Sequence, residues 1–251
     1  MENFKINSKD IQRGIIFAAL LVGSGLIVAT WIGTSAWKTV RGYDNTLSVT
    51  GSTKQKVTSD SVKWTMEITR HSLGADGLKD ANKKIKDDII STVTWLKGAG
   101  IDETAVIITP VSTTENYDYN KSVSAPRDYT LRTTVIVSSD AIDKVTMLAK
   151  NTDSLVNQGV FANSVMLEYY YTHLSDLRVS LLGAAIKDAR ARAEEIAKAG
   201  GKTVGTLKSA SSGVVQVLPV NSVDVSDYGS YDTQNIEKEV SVTVRTSFVL
   251  N

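Results

Sequence analysis

Two neighbouring stretches decide the fold class: Asp60–Arg70, DSVKWTMEITR, and Asp76–Lys97, DGLKDANKKIKDDIISTVTWLK. In the first, Val62, Trp64, Met66 and Ile68 alternate with Ser61, Lys63, Thr65, Glu67 and Thr69. A period of two puts one face of a strand in a core and the other in water. In the second the period lengthens, because Leu78, Ala81, Ile85, Ile89, Val93 and Leu96 fall three or four apart and form one apolar stripe along a helix. Gly98 and Gly100 come next, and glycine ends a helix by accepting the left-handed geometry that a Cβ resists. A half-buried strand followed by an amphipathic helix predicts a domain of mixed α and β structure.

Working outward, Leu47–Gly51 alternates as a short strand. Beyond the helix, strands near Thr104–Thr114 and Tyr129–Ser138 flank the polar stretch Glu115–Asp128 and read as a hairpin. A short helix at Ala141–Asn151 and a strand at Ser164–Thr172 complete the order β-α-β-β-α-β. That order predicts a ferredoxin-like core, an antiparallel sheet with both helices on one face, within an α+β fold. A third helix is expected over Ser175–Ala199, with Val179, Leu182, Ile186, Ala189, Ala193 and Ile196 as its buried stripe. Its other face carries Asp188/Arg192, Arg190/Glu194 and Glu194/Lys198 four residues apart, a solvated pattern contributing about a few tenths of a kcal/mol per pair. Short C-terminal strands near Thr203–Leu218, a polar loop at residues 219–236 and a strand at Glu239–Leu250 follow.

Upstream, Gly14–Trp37 holds no charged residue, and about 20 apolar residues suffice to cross a bilayer. The plan is therefore a cytoplasmic segment at 1–13, a transmembrane signal anchor at 14–37, a linker at 38–46 and a domain at 47–251. Trp31 and Trp37 suit one membrane interface. The alternative is a cleavable signal peptide, for which Thr34-Ser35-Ala36 resembles a cleavage site, but the uncharged run exceeds the usual h-region of about 7–15 residues. Lys5, Lys9 and Arg13 before the span, against Lys38 and Arg41 after it, favour an N-terminus inside. Gly25, Ala29 and Gly33 share one helix face and form a candidate helix-association seam.

The 28 basic and 27 acidic residues leave a net charge of +1, which argues against nucleic acid as a partner. With no cysteine, disulfides, thiol nucleophiles and thiolate metal sites are excluded. Gly200-Gly-Lys-Thr203 resembles the end of a phosphate loop, yet Ile196 stands where the first glycine belongs and the glycines follow a helix, so a C-cap is the better reading. His71 and His173 make a metal pair only if the fold joins them. Asp224, Asp227 and Asp232 miss the spacing of a calcium-binding loop. No catalytic, cofactor-binding or metal residue is assigned, and no cofactor is expected. Tyr169-Tyr-Tyr171 alternates across a strand, which makes Tyr170, with Tyr228 and Tyr231 of the polar loop, a candidate subunit contact.

Leu47-Ser-Val-Thr-Gly51, Leu96-Lys-Gly-Ala-Gly-Ile101, Ala185–Glu194 (AIKDARARAE) and Ala197–Gly201 (AKAGG) stand in the order seen in the SIMPL-domain family of bacterial extracytoplasmic proteins, which the chain resembles over about Leu47–Leu250. It departs from the family at Ser59-Asp60, where Pro-Asp is usual, and at Asp128-Tyr129, where Gly-Tyr is common. The resemblance implies a domain without established enzymatic activity, prone to ring-like or channel-like homo-oligomers and loosely linked to stress tolerance. The expectation is a non-enzymatic protein in a bacterial inner membrane, its domain facing the periplasm or cell exterior. Its partners would be its own copies and the lipid bilayer. The alternative is a monomeric periplasmic binding module for a small ligand or protein partner.

Overall fold

A computed structural model of the chain describes residues 8–42, 45–117, 126–222 and 228–251. Helix α1 spans Ser8–Gly42, and β1 (Thr46–Thr58), β2 (Ser61–Leu73) and α2 (Leu78–Gly98) follow. After a 3-10 turn at Glu103–Ala105 come β3 (Val106–Ile108), β4 (Ser112–Asn116) and β5 (Asp128–Ser139). Next are α3 (Ile142–Lys150), α4 (Asp153–Asn157), β6 (Ala162–Tyr170) and α5 (Leu174–Ala199). The chain ends in β7 (Val204–Pro219), β8 (Ser230–Tyr231) and β9 (Glu237–Leu250). Contacts divide it into two compact units, one of residues 1–51, 186–212 and 244–251, the other of residues 52–185 and 213–243.

In the larger unit the sheet order is β3-β5-β2-β6, with β4 also paired to β5. All of these pairs are antiparallel. Val62, Trp64, Met66 and Ile68 are fully buried, as their alternation requires. Opposite them, Leu131, Val135 and Val137 of β5 close the sheet face against Ala81, Ile85 and Leu96 of α2 and Val145 of α3. Burying each such aliphatic side chain stabilises by about 1.5–3 kcal/mol. Trp64 satisfies its indole by donating to Ser164 Oγ at 2.8 Å and meets Trp95 edge to face. Gly100 takes a φ of +78° just past α2, the left-handed stop expected there, while Gly98 is the last helical residue.

The first strand of the hairpin is interrupted. Pro110 has no N–H to give a ladder, and Thr109 takes over: its N–H donates to Thr134 O and its Oγ1 accepts from Thr134 N–H, at 2.9 Å each. The result is β3 and β4 where one strand was expected. Elsewhere β1 runs to Thr58 rather than stopping at Gly51, β7 is a single long strand, and α1 continues into the expected linker as far as Gly42.

In the smaller unit Val49, Ala189, Ala193 and Phe248 form a compact cluster, with Leu47 and Val204 against it. The buried residues of α5 are Leu177, Leu181, Ala185, Ala189, Ala193 and Ala197. The expected stripe is therefore corrected: Val179 is 71% and Ile196 52% exposed. Alanines let a helix pack close to its neighbours, and that outweighs burying two larger side chains on another face. Within α1, Arg13–Ser35 is long and apolar enough to cross a membrane. Ser24, Thr30 and Thr34 return their hydroxyls to Leu21 O, Leu26 O and Thr30 O, so these side chains need no water.

Candidate functional site

A concavity lies in the larger unit, where β2 outruns β6. The β2–β6 pairing ends at Ile68 and Ala162, with Thr69 N–H donating once more to Phe161 O at 3.3 Å. On its other side β2 stays paired with β5 as far as Leu73 and Asp128. Odd-numbered residues at this end of β2 aim their backbone groups toward β6, so His71 and Leu73 present theirs to a lane that no described strand occupies. Gly77, Asp80, Ala81 and Lys84 of the α2 entry and Phe161 wall the lane, enclosing a cleft of about 660 Å³.

Arg70 anchors the cleft. Its Nε donates to Asp88 Oδ2 at 2.6 Å and its Nη2 to Asp88 Oδ1 at 2.7 Å and Gly159 O at 2.7 Å. The guanidinium also lies 5.3 Å from the centre of the Phe161 ring, within cation–π range. The hydrogen bond to Asp88 leads in raising the Arg70 pKa above its ordinary value. Asp80 is bonded by Lys84 at 2.7 Å, and that bond leads in lowering its pKa. Gly77 is required where it stands, because a Cβ would come within 2.5 Å of Ser72 Oγ and 3.1 Å of Leu73 O. The sequence carries the signal for the ion pair: Arg70 continues the inward parity of Val62 to Ile68, and Asp88 sits three residues after Ile85 on the buried side of α2.

Two of the three candidate tyrosines, Tyr170 and Tyr231, meet within the same unit. Tyr170 stacks on Tyr231 at 6.1 Å between centres, and Tyr231 Oη accepts from Tyr171 N–H at 3.0 Å. Burial leads in raising the Tyr170 pKa. Tyr228 is 97% exposed. The segment carrying Tyr231 is fixed by Lys238, which is fully buried. Its ammonium donates to Asp232 O at 2.6 Å and to Asn235 O, and lies 3.7 Å from Asp232 Oδ2. Desolvation by burial leads in lowering the Lys238 pKa. This lysine was not singled out in the sequence, although it holds an inward position of β9 two residues before Val240.

The remaining candidates separate. Ser61 pairs with Tyr170, and His71 lies ten residues further along β2, about 33 Å at strand rise, so His71 and His173 share no site. His71 Nδ1 lies 3.1 Å from Thr130 Oγ1, and His173 Nε2 lies 3.8 Å from Asp60 Oδ2. Among the described residues no group of three or more His, Asp or Glu could hold a metal. Asp224 and Asp227 lie outside the described residues, and Asp232 accepts from Gln234 N–H at 2.9 Å. Gly201, at φ +68°, ends α5, with Lys202 N–H returning to Ala197 O at 2.8 Å, a helix cap rather than a phosphate loop. Among the described residues a Cβ added at Gly25 or Gly33 meets nothing within 4 Å, so no described residue packs on the seam at these two positions.

Ser59, at the position where the resemblance expects proline, uses what proline lacks: its N–H and Oγ both donate to Ile236 O at 2.9 Å. Asp60 accepts from Thr172 N–H at 2.8 Å and Thr172 Oγ1 at 3.0 Å.

A search of curated proteins finds none that matches. The family model SIMPL, described as a protein of unknown function (DUF541), matches residues 47–248. That match covers both sheets and every element from β1 to β9, and the chain belongs to the SIMPL family.

Proposed function

We propose that this is a membrane-anchored, non-enzymatic SIMPL protein whose domain assembles with its own copies, ring-like or channel-like, on the extracytoplasmic side of a bacterial inner membrane. The observation that carries the reading is the segment Arg13–Ser35, with a mean hydropathy of 2.4 and no residue of it buried among the described residues. In water, Ile15, Phe17, Leu20, Ile27 and Trp31 would form an apolar surface far beyond what a monomeric soluble protein tolerates, whereas a bilayer solvates it. The basic residues before the span support an N-terminus inside. Assembly is supported by β7, where Thr206–Val214 is exposed on both faces, and by Tyr228, since exposed strands and aromatic residues are what subunits use to meet. The order β3-β5-β2-β6, with α2 and α3 on one core, supports the ferredoxin-like reading of residues 61–170.

The test is alkaline extraction of membranes followed by protease treatment of intact spheroplasts. The protein should stay with the membrane, and protease should digest the domain. Release by alkali would overturn the anchor, and protection until lysis would reverse the topology. The cleft beside β2 favours a second reading, a binding module in the same compartment.

A further inference from the structure

We infer that the outward face of α2 is a second membrane contact, a lysine-rich seat for the anionic headgroups of the bilayer that anchors the chain. The inference rests on the membrane-anchored reading and is independent of self-assembly.

Lys79, Lys83 and Lys86 recur four and three residues apart on α2, and Ile90 follows four residues on. At about 100° per residue these positions fall within an arc of about 60° and span about 17 Å of helix, so they share one face. All four side chains are exposed, Ile90 at 64%. With Leu78 and Asn82 the lysines line a concavity on the helix surface. Their charges are not neutralised within the protein, because among the described residues none of the three makes an ion pair. Asp80 is bonded to Lys84 and Asp88 to Arg70. Asp87, beside the stripe, offsets one lysine and leaves the face positive. Further along the same face Lys97 is paired with Glu103 at 2.5 Å, so the unbalanced charge is confined to the first turns of α2.

Lysines and an exposed isoleucine on one helix face suit a surface that is anionic and has hydrocarbon beneath it. An acidic headgroup layer strengthens binding by about fivefold per lysine, so three amount to about a hundredfold. Lysine stems lie along apolar surface while their ammonium groups stay with the phosphates, and Ile90 reaches toward the acyl boundary as apolar residues of interfacial helices do. Nucleic acid would supply the charge without the hydrocarbon, and a chain of net charge +1 is poorly suited to it. The anchor supplies proximity. A domain tethered to a bilayer meets it at about millimolar effective concentration, so an attraction too weak to recruit a free protein is enough.

The full-length chain contains no cysteine, so Ile90→Cys carries a single environment-sensitive nitrobenzoxadiazole label. The labelled protein is placed one copy per lipid nanodisc, in discs of phosphatidylcholine alone and in discs in which a third of the lipid is phosphatidylglycerol. The label is expected to shift to the blue in the phosphatidylglycerol discs and to keep its aqueous emission in the neutral ones. Raising the salt from about 0.05 to about 0.5 M should remove the shift by screening the attraction. The same chain with Lys79→Gln, Lys83→Gln and Lys86→Gln should lose it as well. All three side chains are exposed, and circular dichroism checks that the helix is retained. Equal emission in the two kinds of disc would overturn the inference, and is the result expected if the stripe meets an acidic protein instead. A triple variant that keeps the shift would overturn it too. A chain that fails to co-migrate with the discs would overturn the anchored reading, and this inference with it.

Discussion

Arg70 and Asp88 form an ion pair that is largely out of water, with side-chain exposures of 21% and 7%. Breaking such a pair from one side costs more than replacing both partners, because one charge stays behind without compensation. Asp88→Asn is expected to destabilise by about 2–3 kcal/mol, and Arg70→Met with Asp88→Leu by less than the single change. Urea denaturation of the three proteins checks the ranking. Lys238 poses the opposite problem. Burial lowers its pKa, so the folded chain holds that proton less tightly than the unfolded chain. Unfolding then takes up a proton once the pH passes the lowered folded value, and stability gains up to about 1.4 kcal/mol per pH unit until the ordinary lysine range is reached. The expected result is that Lys238→Met loses this rise relative to the parent. Comparing the two proteins at each pH isolates it from tyrosine ionisation, which has the opposite sign for Tyr170 because its pKa is raised.

Among the elements, α5 separates what pattern reveals from what packing decides. Ala189 is fully buried against Val49 and Phe248, whereas Val179 is exposed. Ala189→Leu should therefore destabilise by about 1–3 kcal/mol through overpacking, and Val179→Ser should stay within about 0.5 kcal/mol. Thermal melts of the two variants decide between the alanine face and the aliphatic stripe. Strand β2 and helix α2 were legible because one residue pattern fixed both period and burial: Val62 to Ile68 alternate, and Ala81, Ile85 and Leu96 recur on the buried face. The buried polar positions Asp88 and Thr92 on that face were missed, since apolar periodicity passes over a charge that finds a distant partner. The cleft was illegible for a related reason: it arises from the unequal lengths of β2 and β6, a property of pairing and not of either strand's composition. The hold of Lys238 on Asp232 and Asn235 rests on main-chain carbonyls, which no residue type announces.

At the scale of the whole molecule, an apolar helix that is not buried among the described residues precedes a domain with long exposed strand surface. Packing between helices in lipid relies on close contact of small residues, and its individual contributions are modest. Strand pairing and apolar contact in water draw on the hydrophobic effect as well. The domain should therefore supply most of the assembly energy, with the Gly25, Ala29 and Gly33 face secondary. The most direct test is sedimentation velocity on two proteins: the chain lacking residues 1–43, and the full-length chain carrying Gly25→Leu and Gly33→Leu in detergent. Both are expected to sediment as the same oligomer as the unmodified protein, once detergent mass is subtracted. A truncated chain that sediments as a monomer, or a double-leucine variant that falls to monomers, would contradict this and assign assembly to the membrane helix.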